Sequence, residues 1–379
     1  MPWKEASAMS LRCEIVQGAL EEGANKSRLA RQFDVSRKTL YKWVARLRQG
    51  GPAGLCNLSR RPHASPRRTP AEMEARVLAL RDELGWGGRK ISRRLRDLGV
   101  EHVPPASTVT EILRRHGRLD AEEGLKHRAW QRFEAEAPND LWQMDFKGHF
   151  PMATGERCHP LTVLDDHSRF CLELRACADE QGATVQGHLT SLFRRYGLPQ
   201  RLLVDNGPPW GAEGYDRVSR LGVWLIRHGI TVVHSGTYHP QTLGKDERFH
   251  RTLVRELLSR HLFCDVAHAQ QCFDPWRETY NRERPHDALA LAVPASRYQE
   301  SPRNFQETPL PIEYHRQDIT RRVDVNGRIS FRNCLIRVGK ALQGQTIALR
   351  PSHTDGQVDV FFCHQKVTQI DLRHHNLEP

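Results

Sequence analysis

Three acidic positions in the middle of the chain stand where their carboxylates could act together. Asp145 lies in a segment of alternating apolar and polar residues, which predicts a strand, and Asp205 ends a short apolar run that predicts another. The third position opens a long predicted helix. Helical periodicity places both Asp246 and Glu247 at the apolar stripe of that helix, so the pattern leaves either residue as the third acid.

Converging carboxylates have a definite chemical use. Their oxygens are hard ligands that suit Mg²⁺ and Mn²⁺, and two such ions about 3.5–4 Å apart activate a hydroxyl and stabilise the leaving oxygen of a phosphodiester. Three close carboxylates without metal would repel one another. These positions therefore predict a divalent-metal site that acts on nucleic acid. Nearby histidines are candidate neighbours of the site or packing residues: His234, His239 and His250.

The residues around the acids indicate an α/β domain. From Asn139 onward short strands alternate with helices, and residues 165–168 are a turn-forming run between two further strands. Asp205 falls at the carboxyl end of its strand, where open α/β sheets bind ligands. We expect this domain to cover residues 136–300.

The net charge of +12 is distributed unevenly. Residues 1–135 carry 27 Lys and Arg against 16 Asp and Glu, a net of +11, whereas the remainder carries 30 against 29. A concentrated positive field attracts polyanions, so the N-terminal third predicts a nucleic-acid partner. The nine cysteines are scattered without a Cys-x-x-Cys pair, which favours neither a disulfide framework nor a zinc site. No stretch approaches the roughly 20 apolar residues of a membrane span, so we expect a cytoplasmic protein with no membrane partner.

The basic third divides into two helical modules. Residues 1–50 fit a helix-turn-helix in which Ser36 caps the second helix and four side chains face outward toward DNA: Arg37, Lys38, Tyr41 and Lys42. A basic, proline-rich linker follows at residues 51–70, and a second helical DNA-binding domain at 71–120 carries Arg89 and Lys90 on a basic helix. Two modules on one linker predict a long or bipartite double-stranded DNA site. The alternative to DNA binding, for each of the two modules, is a helical bundle with a solvated basic surface.

The C-terminal residues 318–375 alternate short apolar segments with glycine turns, which predicts a small β-barrel. The expected fold is thus multidomain, with an all-α N-terminal region that contains the helix-turn-helix, an α/β core and a C-terminal barrel.

Several strings in the sequence are typical of one family. They are LWQMDFKG at residues 141–148, LDDHSRF at 164–170, VDNG at 204–207, HPQTLGKDERFHRTL at 239–253 and YNRERPHDAL at 280–289, together with SRKTLYKW at 36–43 and WGGRKI at 86–91. With these strings, nearly the whole chain resembles insertion-sequence transposases with an integrase-type (DDE) catalytic core.

The resemblance implies an RNase H-like core whose catalytic and metal-binding acids are Asp145, Asp205 and Glu247, with Mg²⁺ as the cofactor, Mn²⁺ as its alternative, and no zinc. It also implies hydrolytic release of a 3′-OH at the element's ends and joining of that 3′-OH to target DNA. The partners that the resemblance implies are double-stranded DNA and further copies of the chain, which form a homodimer or higher oligomer. The implied location is the nucleoid of a bacterium. By position, three basic residues would contact the DNA backbone: Lys245, Arg248 and Arg251.

Two other functions share parts of this pattern. A non-catalytic DNA-binding regulator would use the helix-turn-helix units alone, but it would have no physical reason to keep the three acids together. A simple nuclease would share the metal site, but it would not need two tandem DNA-reading modules. The sequence therefore favours a transposase.

Overall fold

The computed structural model of the 379-residue chain describes residues 7–58, 68–119, 134–211, 218–235 and 244–373. The chain divides into two compact units, residues 1–68 and 69–379. Much of the predicted basic linker, and His239, lie outside the described residues. None of the described helices is long and apolar enough to cross a membrane.

The first unit contains the predicted helix-turn-helix. Its described helices are α1 (Ala8–Leu20), α2 (Lys26–Gln32) and α3 (Arg37–Gly50), followed by a 3₁₀ turn at Gly51–Leu55. Ser36 caps α3 by accepting a hydrogen bond from the amide of Thr39, as the sequence predicted. Leu40 and Val44 of α3 are buried at helical spacing, and α1 completes the small core.

The second unit begins with another helical module. Its helices are α4 (Ala71–Leu84), α5 (Gly88–Asp97) and α6 (Ala106–Arg115). Helix α4 ends at Gly85, whose φ of +70° is a left-handed conformation that glycine adopts without strain. Trp86, Ile91 and Leu113 are buried at the centre of the module.

A mixed sheet forms the centre of the second unit. Its strands are β1 (Leu141–Phe146), β2 (Phe150–Pro151), β3 (Arg157–Asp165), β4 (Cys171–Cys177), β5 (Arg201–Val204) and β6 (Thr231–His234). The strand order is β2-β3-β1-β5-β6, and β4 also pairs with β3. Strand β1 is antiparallel to β3 and parallel to β5, so it joins the antiparallel half of the sheet to the parallel half.

Helices cover both faces of this sheet. Helices α7 (Gly182–Tyr196) and α8 (Arg220–Arg227) pack on the face that carries Trp142 and Met144. The other face packs against α9 (Gly244–Leu253), its π-helical continuation Val254–Leu258, and α10 (Val266–Arg282). This layered arrangement confirms the predicted α/β, RNase H-like core.

The C-terminal strands form open sheets. They are β7 (Ile319–Arg322), β8 (Arg328–Phe331), β9 (Cys334–Arg337), β10 (Thr346–Pro351), β11 (Gln357–Phe362) and β12 (Gln365–Asp371). One sheet has the order β12-β11-β10-β7, and β8 pairs with β9 as a separate hairpin. Because the pairing described over residues 319–371 leaves β7 and β12 as sheet edges, the predicted closed barrel is not found. The side-chain amide of Gln365 bonds both backbone groups of Val232, which covers the edge of β6.

A buried ion pair holds the π-helical turn against the end of α10. The guanidinium of Arg284 binds Glu256 in a bidentate manner, with Nη2–Oε1 at 2.9 Å and Nε–Oε2 at 3.1 Å. The side chains are only 6% and 4% exposed. One turn earlier, Asn281 bonds both backbone groups of Cys171 in β4, so this end of α10 is joined to the sheet as well.

We expect Arg284→Met to lower the unfolding free energy of the second unit by up to about 3–5 kcal/mol, because it removes the bidentate partner of the buried Glu256 carboxylate and leaves only the longer 3.4 Å contact with Arg255. The double variant Glu256→Gln/Arg284→Met should lose much less than the sum of the two single losses. Calorimetry of the full chain measures both. The control is Arg282→Met at the end of α10. The exposed ion pair of Arg282 with Glu278 contributes only about 0.3–0.5 kcal/mol to stability. Equal losses from both arginine variants would contradict the prediction.

Candidate active site

The register between β1 and β5 brings two of the predicted acids together. The pairing is parallel and sets Gln143 opposite Leu203. Continued by two residues, it sets Asp145 opposite Asp205, on strands about 4.8 Å apart. Residues directly opposite each other in adjacent strands project from the same face of a sheet. Asp145 and Asp205 therefore present their carboxylates side by side at the carboxyl ends of the two strands.

The environment of these carboxylates disfavours their negative charge. Burial, and then the charge of Asp205, raises the pKa of Asp145 to about 6. Burial also raises the pKa of Asp205, although a hydrogen bond from the amide of Gly207 opposes the shift. The charge of Glu180 raises both pKa values. Glu180, which also bonds the ring of His159 at 2.7 Å, is a site neighbour that the sequence pattern did not single out, because it lies in a loop between elements.

Each aspartate has a histidine beside it. The Nδ1 atom of His234 lies 2.9 Å from the backbone oxygen of Asp205. The ring of His250 lies against β1 and β3, with Nδ1 4.0 Å from Oδ2 of Asp145 and Nε2 2.9 Å from the hydroxyl of Thr162. Burial, and then the charge of Lys147, lowers the pKa of His250 to about 4, so this imidazole is neutral at pH 7. Two of the three candidate histidines are thus neighbours of the acids.

Helix α9 presents its two acids differently. Asp246, Phe249, His250 and Leu253 form the buried stripe of the helix, whereas the side chain of Glu247 is exposed. Neither carboxylate oxygen of Asp246 has a hydrogen-bond partner among the described residues. Burial, followed by the charges of Asp145 and Asp166, raises the pKa of Asp246 well above its usual range. The structure therefore brings Asp246 into the field of Asp145, and Glu247 stays a prediction as the third acid.

The turn after β3 anchors the start of α9. Asp166 is buried, accepts hydrogen bonds from Gln143 at 2.6 Å and from the amide of Ala135 at 2.7 Å, and forms an ion pair with Lys245. Burial, and then the charge of Arg169, lowers the pKa of Lys245 to about 8. The ammonium of Lys245 is thus turned inward in this structure, away from the DNA contact that the sequence predicted for it.

The two aspartates suit a divalent cation. Within the ranges that the structure describes, no three His, Cys, Asp or Glu side chains come together as a ready metal site. The oxygens of Asp145 and Asp205 are nevertheless hard donors whose pKa values are raised by burial. A cation between the two carboxylates would offset this cost and their mutual repulsion.

Domain families match along most of the chain. Models of the integrase core domain match residues 135–240 and 228–294, and the C-terminal domain of IS481 family transposases matches residues 318–378. A helix-turn-helix domain matches residues 11–63, and a homeodomain-like domain matches residues 39–113.

Curated relatives come from insertion elements. An uncharacterized 31.7 kDa protein of insertion element IS407 from Burkholderia multivorans is 29% identical over 159 residues, which cover 42% of this chain and 55% of the relative. An uncharacterized 39.2 kDa protein of insertion element IS476 from Xanthomonas euvesicatoria is 30% identical over 158 residues, 42% of this chain and 44% of the relative. The chain spans about half the length of these relatives. Its core and C-terminal domains are therefore similar to those of insertion-sequence transposases.

Solved structures similar to this chain include integrases. The intasome of simian T-cell lymphotropic virus, in complex with PP2A regulatory subunit B56 gamma, has a TM-score of 0.39 and 12% identity, covering 78% of this chain and 96% of that one. The HTLV-2 integrase catalytic core domain in complex with magnesium has a TM-score of 0.34 and 15% identity, covering 43% of this chain and 99% of that one.

The nine residues predicted to contact DNA have different surroundings. Seven of the nine residues are exposed: Arg37, Lys38, Tyr41 and Lys42 on α3, Arg89 on α5, and Arg248 and Arg251 on α9. Helix α5 also contacts the end of α10 and the loop after it, where Arg89 lies 3.0 Å from Asp287 and Arg94 forms an ion pair with Glu283. Burial, and then the charge of Arg284, lowers the pKa of Lys90 to about 8.

The raised pKa of Asp145 predicts how stability depends on pH. Its folded pKa of about 6 lies above the unfolded value of 3.8, so the ionised carboxylate destabilises the metal-free fold. At about 1.36 kcal/mol per pKa unit, Asp145→Asn should raise the unfolding free energy at pH 8 by up to about 3 kcal/mol. The gain should shrink as the pH falls through 6 and vanish below 3.8.

Calorimetry of the full chain in EDTA across this pH range measures the effect. The control is Asp355→Asn, at an exposed position in the C-terminal sheet region, which should change stability little at any pH. If the native chain instead gained stability relative to Asp145→Asn as the pH rose above 6, the buried, charge-disfavouring environment of Asp145 would be contradicted.

Proposed function

We propose that this protein is a transposase that cuts DNA at the ends of its element to release a 3′-OH and joins that 3′-OH to target DNA. The observation that carries the proposal is the parallel register of β1 and β5, which is paired as far as Gln143 and Leu203 and, continued by two residues, sets Asp145 opposite Asp205 in a core that matches the integrase core domain. Paired carboxylates on neighbouring strands are suited to phosphoryl transfer, because they can share a divalent cation that leaves the phosphodiester accessible.

The residues proposed to hold the cation, Mg²⁺ or Mn²⁺, are Asp145, Asp205 and Glu247. When bound, the cation would activate the attacking hydroxyl and stabilise the leaving oxygen of the phosphodiester. Asp145 and Asp205 supply negative charge from the rigid ends of β1 and β5. Glu247 supplies it from the first turn of α9, where it is open to solvent and therefore to DNA.

The exposed face of α9 is proposed to bind the DNA backbone. Arg248 and Arg251 share this face with Glu247, and their guanidiniums can make bidentate contacts to phosphate. The buried stripe of the same helix keeps it in place, because Phe249 and Leu253 pack against the sheet. The scissile phosphate would therefore be held between the arginines of α9 and the aspartates of the strands.

The N-terminal module is proposed to recognise the element's ends. Its α3 exposes Arg37, Lys38, Tyr41 and Lys42 together, and a helix with such a face fits the major groove of duplex DNA. Joining two ends of one element requires that both be held at once. We therefore propose that a homodimer or larger assembly of the chain acts on DNA.

We expect Asp145→Asn and Asp205→Asn each to reduce strand transfer by at least about 100-fold, a loss typical of removing one charge-stabilising group from an active site. Glu247→Gln should reduce strand transfer by a similar factor. Asp246→Asn should retain most of the activity, because the side chain of Asp246 is buried away from solvent. The assay incubates the full chain with labelled element-end duplex, target plasmid and Mg²⁺ or Mn²⁺.

Binding of the same duplex, measured by anisotropy in EDTA, serves as the control and should stay unchanged in all four variants. Full activity in Asp205→Asn would refute the site. Loss in Asp246→Asn with activity kept in Glu247→Gln would move the third acid to Asp246. Cleavage without joining would indicate a nuclease, and binding without either would indicate a regulator.

The exposed face of α3 should bind phosphates in a way that depends on salt. Lys38→Ala and Lys42→Ala should each remove one ammonium–phosphate interaction and so reduce the slope of log K against log salt concentration by about 0.9. Anisotropy titrations of the full chain with a random-sequence duplex at several salt concentrations measure the slope. Arg282→Ala, at an exposed arginine already paired with Glu278, is the matched control and should leave the slope unchanged.

A further inference from the structure

His250 occupies the inner face of α9 at the point where the helix meets the sheet. Its side chain is 9% exposed. The ring lies between two oxygens of the candidate site, with Nε2 2.9 Å from the Thr162 hydroxyl and Nδ1 4.0 Å from Oδ2 of Asp145. It is therefore closer to the candidate metal-binding acids than the usual packing histidine of a helix.

The hydrogen bonds around Thr162 determine which ring nitrogen of His250 carries the proton. The Thr162 hydroxyl lies 2.9 Å from the backbone oxygen of Asp145, and because a carbonyl only accepts, the hydroxyl donates its single proton there. It must then accept from His250, so Nε2 carries the hydrogen. In a neutral imidazole the other nitrogen, Nδ1, keeps its lone pair, and Nδ1 lies 4.0 Å from Oδ2 of the Asp145 carboxylate.

Two acceptors that face each other require a cation or a donor between them. Oxygen ligands of one Mg²⁺ ion stand about 2.1 Å from it, so two ligands of a similar ion lie about 3.0 Å apart when adjacent and about 4.2 Å apart when opposite. The separation of 4.0 Å between Nδ1 and Oδ2 falls within this span. We propose that His250 Nδ1 binds the divalent cation together with Asp145, and that this nitrogen makes the site prefer Mn²⁺ to Mg²⁺.

The surroundings of the ring match what a metal-binding histidine needs. Such a histidine donates its second ring N–H to a fixed acceptor, which sets both tautomer and orientation. Here the acceptor is Thr162, which in turn donates to the backbone of Asp145, so one chain of hydrogen bonds orients both proposed ligands. Mg²⁺ binds oxygen almost exclusively, whereas softer transition-metal ions accept imidazole, which gives the preference for Mn²⁺ its cause.

This inference rests on the proposed metal site at Asp145 and Asp205, and the experiment separates the two. The full chain is titrated with Mn²⁺, and free Mn²⁺ is followed by its electron paramagnetic resonance signal. The bound ion is then studied by pulsed resonance in protein prepared with ordinary or ¹⁵N-labelled histidine. We expect a histidine nitrogen coupling in the native chain that changes with the label.

The variants identify which histidine is responsible. In His250→Phe the coupling should disappear, the affinity for Mn²⁺ should fall by about 10–100-fold, and the affinity for Mg²⁺, measured by competition, should fall less. His234→Phe is the matched control, because His234 lies beside Asp205 and contacts its backbone, and the coupling should persist. Should His250→Phe misfold, the labelled native chain alone still tests for the nitrogen ligand.

Other outcomes overturn the inference in distinguishable ways. Suppose that the native chain binds Mn²⁺, that Asp145→Asn loses this binding, and that no histidine nitrogen coupling is seen. This result would refute the role of His250 and leave the proposed function intact. A coupling that persists in His250→Phe would assign the ligand to another histidine. Mn²⁺ binding that is unchanged in both Asp145→Asn and Asp205→Asn would overturn the proposed metal site, and the role of His250 with it.

Discussion

The parallel pairing of β1 with β5 is the constraint on which the candidate site depends. It places Asp145 and Asp205 on neighbouring strands, which lie roughly 4.8 Å apart, in surroundings that disfavour the negative charge of both carboxylates. The cost of this arrangement appears in the pKa values of Asp145 and Asp205, both of which are raised. The proposed cation between the two carboxylates would offset this cost.

Local patterns in the sequence predicted those parts of the fold that local physics decides. Alternation marked the strand of Asp145, the cap at Ser36 marked the start of α3, and 3.6-residue periodicity marked the side chains that α3 exposes. The same reasoning could not separate Asp246 from Glu247, because adjacent residues on a helix differ by only about 100°. In the structure α9 buries Asp246 and exposes Glu247, and Glu247 as the third acid stays a proposal.

Residues whose environment comes from distant partners were beyond the reach of such patterns. Lys245 is turned inward by Asp166, and Lys90 is half-buried beside Arg284, although both belong to basic stretches that predicted DNA contact. Glu180 joins the acids only because its loop returns to the ends of the strands. The C-terminal strands alternate as a barrel would, but their pairing leaves two sheet edges, and strand alternation does not specify closure.

The buried pair between Glu256 and Arg284 also limits the paths along which this sequence can evolve. Changing either residue alone removes the main partner of a buried charge at a cost of up to about 3–5 kcal/mol, a large part of the 5–15 kcal/mol that typically separates folded from unfolded domains. An intermediate carrying one change would be removed by selection unless other substitutions had first stabilised it. Across descendants of this chain, the two positions should therefore change together, and an apolar pair is the most accessible replacement for both.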